Sequence, residues 1–220
     1  MAERWERFYS GTVKYGRPFI GAAFRLEGEA PDLPDGRLVV AANHFSFIDP
    51  VMVGHAIERP MRYLAVQGVF DHSEFLAKLI TRYGAVALRN EGVPLQAMRT
   101  ARDHLVADGT VGIFPEGKRV AQWGEERAKL GASWLALKTG SPVLPVFIHG
   151  SQATLSVTNP QFRFVPVGLR FGEVIEPNFP VDREGMWQMA EEWERRMEGL
   201  AAQNPIAGKG VRFGRSQGVL

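Results

Sequence analysis

Three short apolar runs in this chain each stop abruptly at a polar loop: Leu38-Val39-Val40-Ala41 ahead of Asn43-His44, Val111-Gly112-Ile113-Phe114 ahead of Pro115-Glu116-Gly117, and Pro142 through Ile148 ahead of His149-Gly150. Runs of this length without helical periodicity read as buried strands. Longer amphipathic stretches alternate with them. That alternation predicts an α/β fold, a mixed and mainly parallel sheet flanked by helices. It also predicts where chemistry should lie, because α/β folds place their sites at strand ends.

Strands are expected at 37–42, 62–66, 85–89, 110–114, 143–148 and 163–175, and helices at 50–57, 73–83, 94–107, 125–139 and 185–202. In the 94–107 stretch, Leu95, Met98, Ala101, Leu105 and Val106 share roughly one face, and Gly109 follows as a stop. In the 185–202 stretch, Trp187, Ala190, Trp193, Met197 and Leu200 form an apolar stripe opposite a solvated acidic face. Pro145 limits the ladder bonds of its strand on one side. A length of 220 residues fits one α/β domain with a real core. No internal repeat or domain linker is seen.

The two ends differ from this middle. Trp5, Phe8, Tyr9 and Thr12 recur at helical spacing, and Tyr15, Phe19, Ile20 and Phe24 continue the aromatic theme among Arg4, Arg7, Lys14, Arg17 and Arg25. Residues 1–26 therefore read as an N-terminal amphipathic helical segment, which Pro18 is expected to split in two. Its stripe suits a helix lying in a membrane interface and equally one packed on the protein's own core. Residues 27–204 form the main domain, and 205–220, Gly-rich and basic without an acid, read as a flexible tail.

Composition excludes several classes. There is no cysteine and so no disulfide, which fits a reducing compartment. No run approaches the length of a membrane span, and the polar residues after Met1 do not resemble a secretion signal. The formal charge is only +2, with no long basic stripe, so nucleic acid is not an expected partner. His44, His55, His72, His104 and His149 show no paired ligand spacing, so no metal is expected. A lipase-type Gly-x-Ser-x-Gly elbow, a phosphate-binding loop and a dinucleotide fingerprint are all absent.

Two loops carry the chemistry. His44 precedes Asp49 by five residues, and Pro50 suits the first helical position, which makes Asp49 the expected N-cap. A turn there can fold the imidazole onto the carboxylate and create a general base; the plainer reading is a cap and a loop filler. The second loop packs Glu116, Lys118 and Arg119 around Gly117, more charge than a turn requires, with Lys118 read as solvated.

Together these pieces resemble the glycerolipid acyltransferase family, whose best-known bacterial members acylate 1-acyl-glycerol-3-phosphate. Asn43, His44 and Asp49, followed by Pro50, match its Asn-His-x-x-x-x-Asp block. Gly84-Ala85-Val86-Ala87-Leu88-Arg89 looks like its looser second block. Phe114, Pro115, Glu116, Gly117 and Arg119 match the third, and Pro142, Val143, Pro145 and Val146 the fourth. The blocks fall in the family's order over about residues 38–152. One departure is Gln67, where family members often carry a Lys; it opens the way to a less anionic acceptor.

The resemblance implies transfer of a fatty acyl group from a thioester, on coenzyme A or acyl carrier protein, to a lysophospholipid hydroxyl, with these as co-substrates and no cofactor. His44 would be the general base and Asp49 would hold its tautomer. Arg89 and Arg119 would anchor a head group through their planar forks. Glu116 would orient an Arg or bond a glycerol hydroxyl, and backbone N–H groups around His44 or Gly117 are candidates for the oxyanion. Ser46 is a conceivable nucleophile without independent support. Partners would be the lipid substrate and a membrane surface, on the cytoplasmic side of the cell membrane, with the enzyme peripheral or monotopic. Alternatives are another lysolipid, glycolipid or aminolipid acceptor, or a lipid-binding protein without catalysis.

Overall fold

The computed structural model of the chain describes residues 4–66, 81, 84–88 and 95–203. Helix α1 spans Arg4–Ala23, strand β1 Leu38–Ala42, α2 Asp49–Ile57, β2 Met61–Val66, β3 Ala85–Leu88 and α3 Leu95–Val106. Then follow β4 Thr110–Ile113, α4 Gly131–Thr139, β5 Val143–His149, a short 3-10 turn Ser151–Ala153, β6 Gly168–Phe171 and α5 Arg183–Ala202. The strands form one sheet in the order β3-β2-β4-β1-β5-β6. Every pairing is parallel except that of β5 with β6. The fold is the mixed, mainly parallel α/β sheet that the apolar runs predict.

The unbroken apolar character of β1 has a simple cause. Val39 and Ala41 pack into a core with α3, α4 and α5 residues such as Leu105, Leu135 and Trp193. Leu38, Val40 and Ala42 pack on the opposite face against Tyr9 and Val13 of α1 and Met52 and Val53 of α2. All five strand residues are buried, so neither face tolerates a polar side chain. Each fully buried Leu or Val contributes about 2 kcal/mol. Trp193 adds a directional tie, its indole N–H donating to Ala41 O at 3.1 Å.

Several boundaries differ from expectation. Pro18 lies inside α1 without dividing it. Tyr9 and Val13 before it and Phe24 after it are all buried, so packing on both sides holds the helix through the one lost bond. The expected helix at 125–139 begins only at Gly131. The preceding residues are held as turns, with Lys129 N–H donating to Pro115 O and Ala128 N–H to Glu194 Oε1. The expected strand at 163–175 shrinks to Gly168–Phe171 plus an isolated bridge at Ile175. β6 pairs from Val146 onward, just past Pro145. After α3 the left-handed residue is Asp108 (φ 60°), not Gly109; Gly109 is needed because a Cβ there would stand 2.3 Å from His104 Nε2. The expected helix at 73–83, apart from Thr81, and the tail 205–220 lie outside the described residues.

Candidate active site

β1 and β4 are adjacent and parallel, so the loops that follow them emerge side by side. Asn43 fixes the start of the first loop. Its side chain accepts from Ile148 N–H at 2.7 Å and donates to Ile148 O at 3.2 Å, so it bridges to the end of β5 as a backbone unit would. The second loop closes as a turn in which Gly117 N–H donates to Phe114 O at 2.9 Å. Gly117 has φ +72°, a conformation that favours glycine.

The loops are then joined at His44. Its N–H donates to Glu116 Oε2 at 2.6 Å and its C=O accepts from Val120 N–H at 2.9 Å. With both backbone groups fixed, the ring has a defined origin. His44 Nδ1 lies 3.0 Å from Asp49 Oδ2, and the same oxygen accepts from the N–H groups of Phe45 and Ser46, each at 2.7 Å. Two backbone N–H groups already donate to this oxygen, so it is the acceptor and Nδ1 carries the proton in the shared bond. Nε2 is left with its lone pair and no hydrogen-bond partner among the described residues. The side chain is 17% exposed, which is enough for a small group to approach.

Asp49 therefore does not cap α2. The helix begins at Asp49 itself, its N-cap is Ile48, and no side chain bonds the cap. The carboxylate turns back into the loop, where three donors compete for it more strongly than a helix end. The imidazole plane is fixed by Phe114, whose ring stacks at 4.0 Å and 16°. Phe114 in turn is parallel to Tyr63 at 6.4 Å, and Tyr63 donates its hydroxyl to Pro50 O at 2.8 Å. Gly112 makes room for this stack, since a Cβ there would stand 2.4 Å from Tyr63 Cε1. Phe114 stands in the sequence motif, but nothing in the sequence identifies it as the neighbour of His44.

Glu116 is fully buried, and Oε1 has no hydrogen-bond partner among the described residues. Burial is the main reason its carboxyl is pushed up to about 8; Asp49, Glu125 and Glu126 add to this, and the His44 N–H opposes it. The acid is therefore mainly protonated at neutral pH. Its one bond is to the His44 backbone, and it contacts no Arg among the described residues.

Arg119 lies half-buried at the edge of the site. Its guanidinium sits 3.6 Å over the Phe47 ring and donates from Nη1 to Leu155 O at 3.0 Å. Desolvation lowers its pKa and Asp49 opposes the shift. Lys118 faces solvent in an ion pair with Glu126 at 2.6 Å. Ser46 Oγ donates to Thr154 O at 2.5 Å and accepts from Ile48 N–H, so its hydroxyl organises the loop. The N–H groups of His44, Phe45, Ser46 and Gly117 are all engaged within the two loops, and none of these four is open to an oxyanion. Arg89 and Gln67 lie outside the described residues. Burial lowers His55 and His149, the latter to about 4, with Arg170 adding to the effect at His149.

Residues 24–149 match the sequence profile of a family described as Acyltransferase. The chain is 27% identical over 157 residues to a 1-acyl-sn-glycerol-3-phosphate acyltransferase of Chlamydomonas reinhardtii, an alignment covering 68% of this chain and 46% of the algal protein. It thus spans about half the length of that relative. Its fold is similar to the crystal structure of the 1-acyl-sn-glycerophosphate (LPA) acyltransferase PlsC from Thermotoga maritima. The TM-score is 0.70 with 26% identity, covering 92% of this chain and 85% of that one.

Proposed function

The chain belongs to the acyltransferase family, and from that premise we propose that it transfers a fatty acyl group from a thioester to a lysophospholipid hydroxyl, with 1-acyl-glycerol-3-phosphate the first acceptor to test. The observation that carries this reading is the His44–Asp49 contact of 3.0 Å, which leaves Nε2 as the basic atom. As the acceptor oxygen bonds to the thioester carbonyl carbon, Nε2 takes the hydroxyl proton. Asp49 steadies the imidazolium that results. The tetrahedral intermediate collapses, the C–S bond breaks, and the imidazolium returns its proton to the departing thiolate. The acceptor is itself the nucleophile, so no acyl-enzyme is needed, in keeping with the engagement of Ser46 elsewhere.

Arg119 supports a head-group role. One of its donors is held by Leu155 O and its face by Phe47, which leaves a positioned fork for an anion. The donor is an acyl group on coenzyme A or acyl carrier protein. The enzyme works at the membrane surface, on the cytoplasmic side, as a peripheral or monotopic protein. Among the described residues no helix is long and apolar enough to cross a membrane. Helix α1 buries Tyr9 and Val13 while exposing Tyr15 and Phe19, so a single helix serves the core and offers an aromatic face outward.

The test is thiol release from long-chain acyl-coenzyme A, with wild type and His44→Ala, offering lysophosphatidate and lysophosphatidylcholine separately. Release with lysophosphatidate that the variant loses is the expected result. Near-normal turnover in a folded His44→Ala protein would remove His44 as the base. Release with lysophosphatidylcholine alone would shift the acceptor to a less anionic lipid, in line with Gln67. Silence with both, repeated with acyl carrier protein as donor, would refute the reading.

A further inference from the structure

The segment between the 3-10 turn and β6 exposes its apolar side chains. Residues 157–164 are all exposed, with Val157 at 56%, Phe162 at 54% and Phe164 at 58%. Flexibility does not account for this, because the segment is tied internally. Leu155 N–H donates to Gln161 O and Ser156 N–H to Asn159 O. Asn159 N–H donates to Ser156 Oγ at 2.9 Å and Arg163 N–H to Thr154 Oγ1 at 2.8 Å. Phe162 and Phe164 meet edge to face at 5.0 Å and both rest on Phe24 at the end of α1. A loop this well bonded holds two phenyl rings in water at a standing cost, which is relieved when something apolar covers them.

Charge indicates what covers them. Residues 151–167 contain Arg163 and no carboxylate. Arg25 follows Phe24, and Arg119 lies over Phe47, itself 40% exposed. Phenyl rings beside Arg163, in a loop that itself carries no acid, suit a bilayer surface bearing anionic lipid. The patch also leads to the site. Phe47 N–H and Arg119 Nη1 both donate to Leu155 O, and Ser46 donates to Thr154 O, so the loop is fastened directly to the His44 loop.

We infer that the 157–164 loop is a membrane-docking surface that seats in an anionic lipid interface and sets the mouth of the site at the depth of the lipid head groups. The choice of a bilayer as occupant rests on the lipid-acceptor reading above. A lysolipid would then reach Nε2 past Phe47 and Arg119 without its chain crossing water.

Sedimentation with phosphatidylcholine vesicles, with and without phosphatidylglycerol, tests this on the full chain. The double variant F162S/F164S should lose about ten-fold in partition onto the anionic vesicles, by the apolar area withdrawn from the interface. Turnover of a dispersed short-chain lysolipid should stay unchanged. Since the two rings also cover Phe24, a second protein guards against misfolding. Phe164→Trp should show more quenching by spin-labelled lipid than the native tryptophans alone. No excess quenching, or equal partition by a folded double variant, would overturn the inference, as would a wild type that ignores both vesicle types. So would a wild-type dimer that the double variant splits while vesicle binding persists, since the patch would then serve a second copy. Binding through the loop without acyl transfer would keep this inference and refute the proposed reaction instead.

Discussion

Replacing Glu116 by Gln should stabilise the protein as pH rises while leaving the His44 loop in place. In the folded chain the Glu116 carboxyl is pushed up to about 8 from 4.5. Between those values the native state holds a proton that the unfolded chain has released, so stability falls as pH rises. Between them the slope is about 1.4 kcal/mol per pH unit; the loss is absent below the unfolded value and complete above the folded one. From about pH 5 to about pH 7.5 the wild type therefore loses about 3 kcal/mol that a Gln does not. For a chain of this size that corresponds to about 6–12 °C in melting temperature. Gln suits the site because its carbonyl can accept the His44 N–H now accepted by Oε2, and turnover at neutral pH should stay within a few-fold. Thermal melts of both proteins across this pH range, read as the difference in Tm at each pH, provide the assay. A difference that stays constant with pH would refute the reasoning, because it would mean that Glu116 is ionised throughout.

Asp49→Asn keeps the size of the side chain but loses the charge that faces Nδ1 and two backbone donors; kcat should fall about 10²–10⁴-fold, by misplacing the tautomer more than by weakening binding, and a loss confined to KM would contradict this. Gly112→Ala places a Cβ 2.4 Å from the buried Tyr63 ring; the overpacking should cost about 2 kcal/mol, seen as a lowered Tm, and an unchanged melt would show that the Tyr63–Phe114 stack yields freely.

The elements most legible in the sequence are those set by local apolar content. β1 and β5 follow from runs that only a doubly covered strand can accommodate, and α5 from the stripe of Ala190, Trp193, Met197 and Leu200, although Trp187, expected on the same stripe, is exposed. Legibility fails where distant residues decide the outcome. The turns before Gly131 look helical by composition, but they are held by Glu194 and by Pro115 O, neither of which is local. Pro18 marks a break by the rule for isolated helices, and burial on both sides overrides it. At the site, the His44–Asp49 pair is visible as a spacing, yet the same Asp-Pro sequence suggests a cap, and only the folded loop shows which donors win. The contact of Glu116 with the His44 N–H crosses 72 residues. Its charge is visible in the sequence as an unexplained acid in a turn, and its partner is not.

The strand order has a consequence for synthesis of the chain. β1 pairs only with β4 and β5, and β2 pairs with β3 and β4. When residues 1–90 have left the ribosome, β1 is complete but has no strand to pair with. Its five apolar residues, with both edges open, wait until Thr110–Ile113 emerges, some seconds later at ordinary elongation rates. During that interval the nascent chain presents an unpaired apolar segment, the one that leads into His44. Delayed closure of this kind slows folding and exposes a chain to aggregation. Strand β1 is thus both the frame of the His44 loop and a point at which a nascent polypeptide needs shielding.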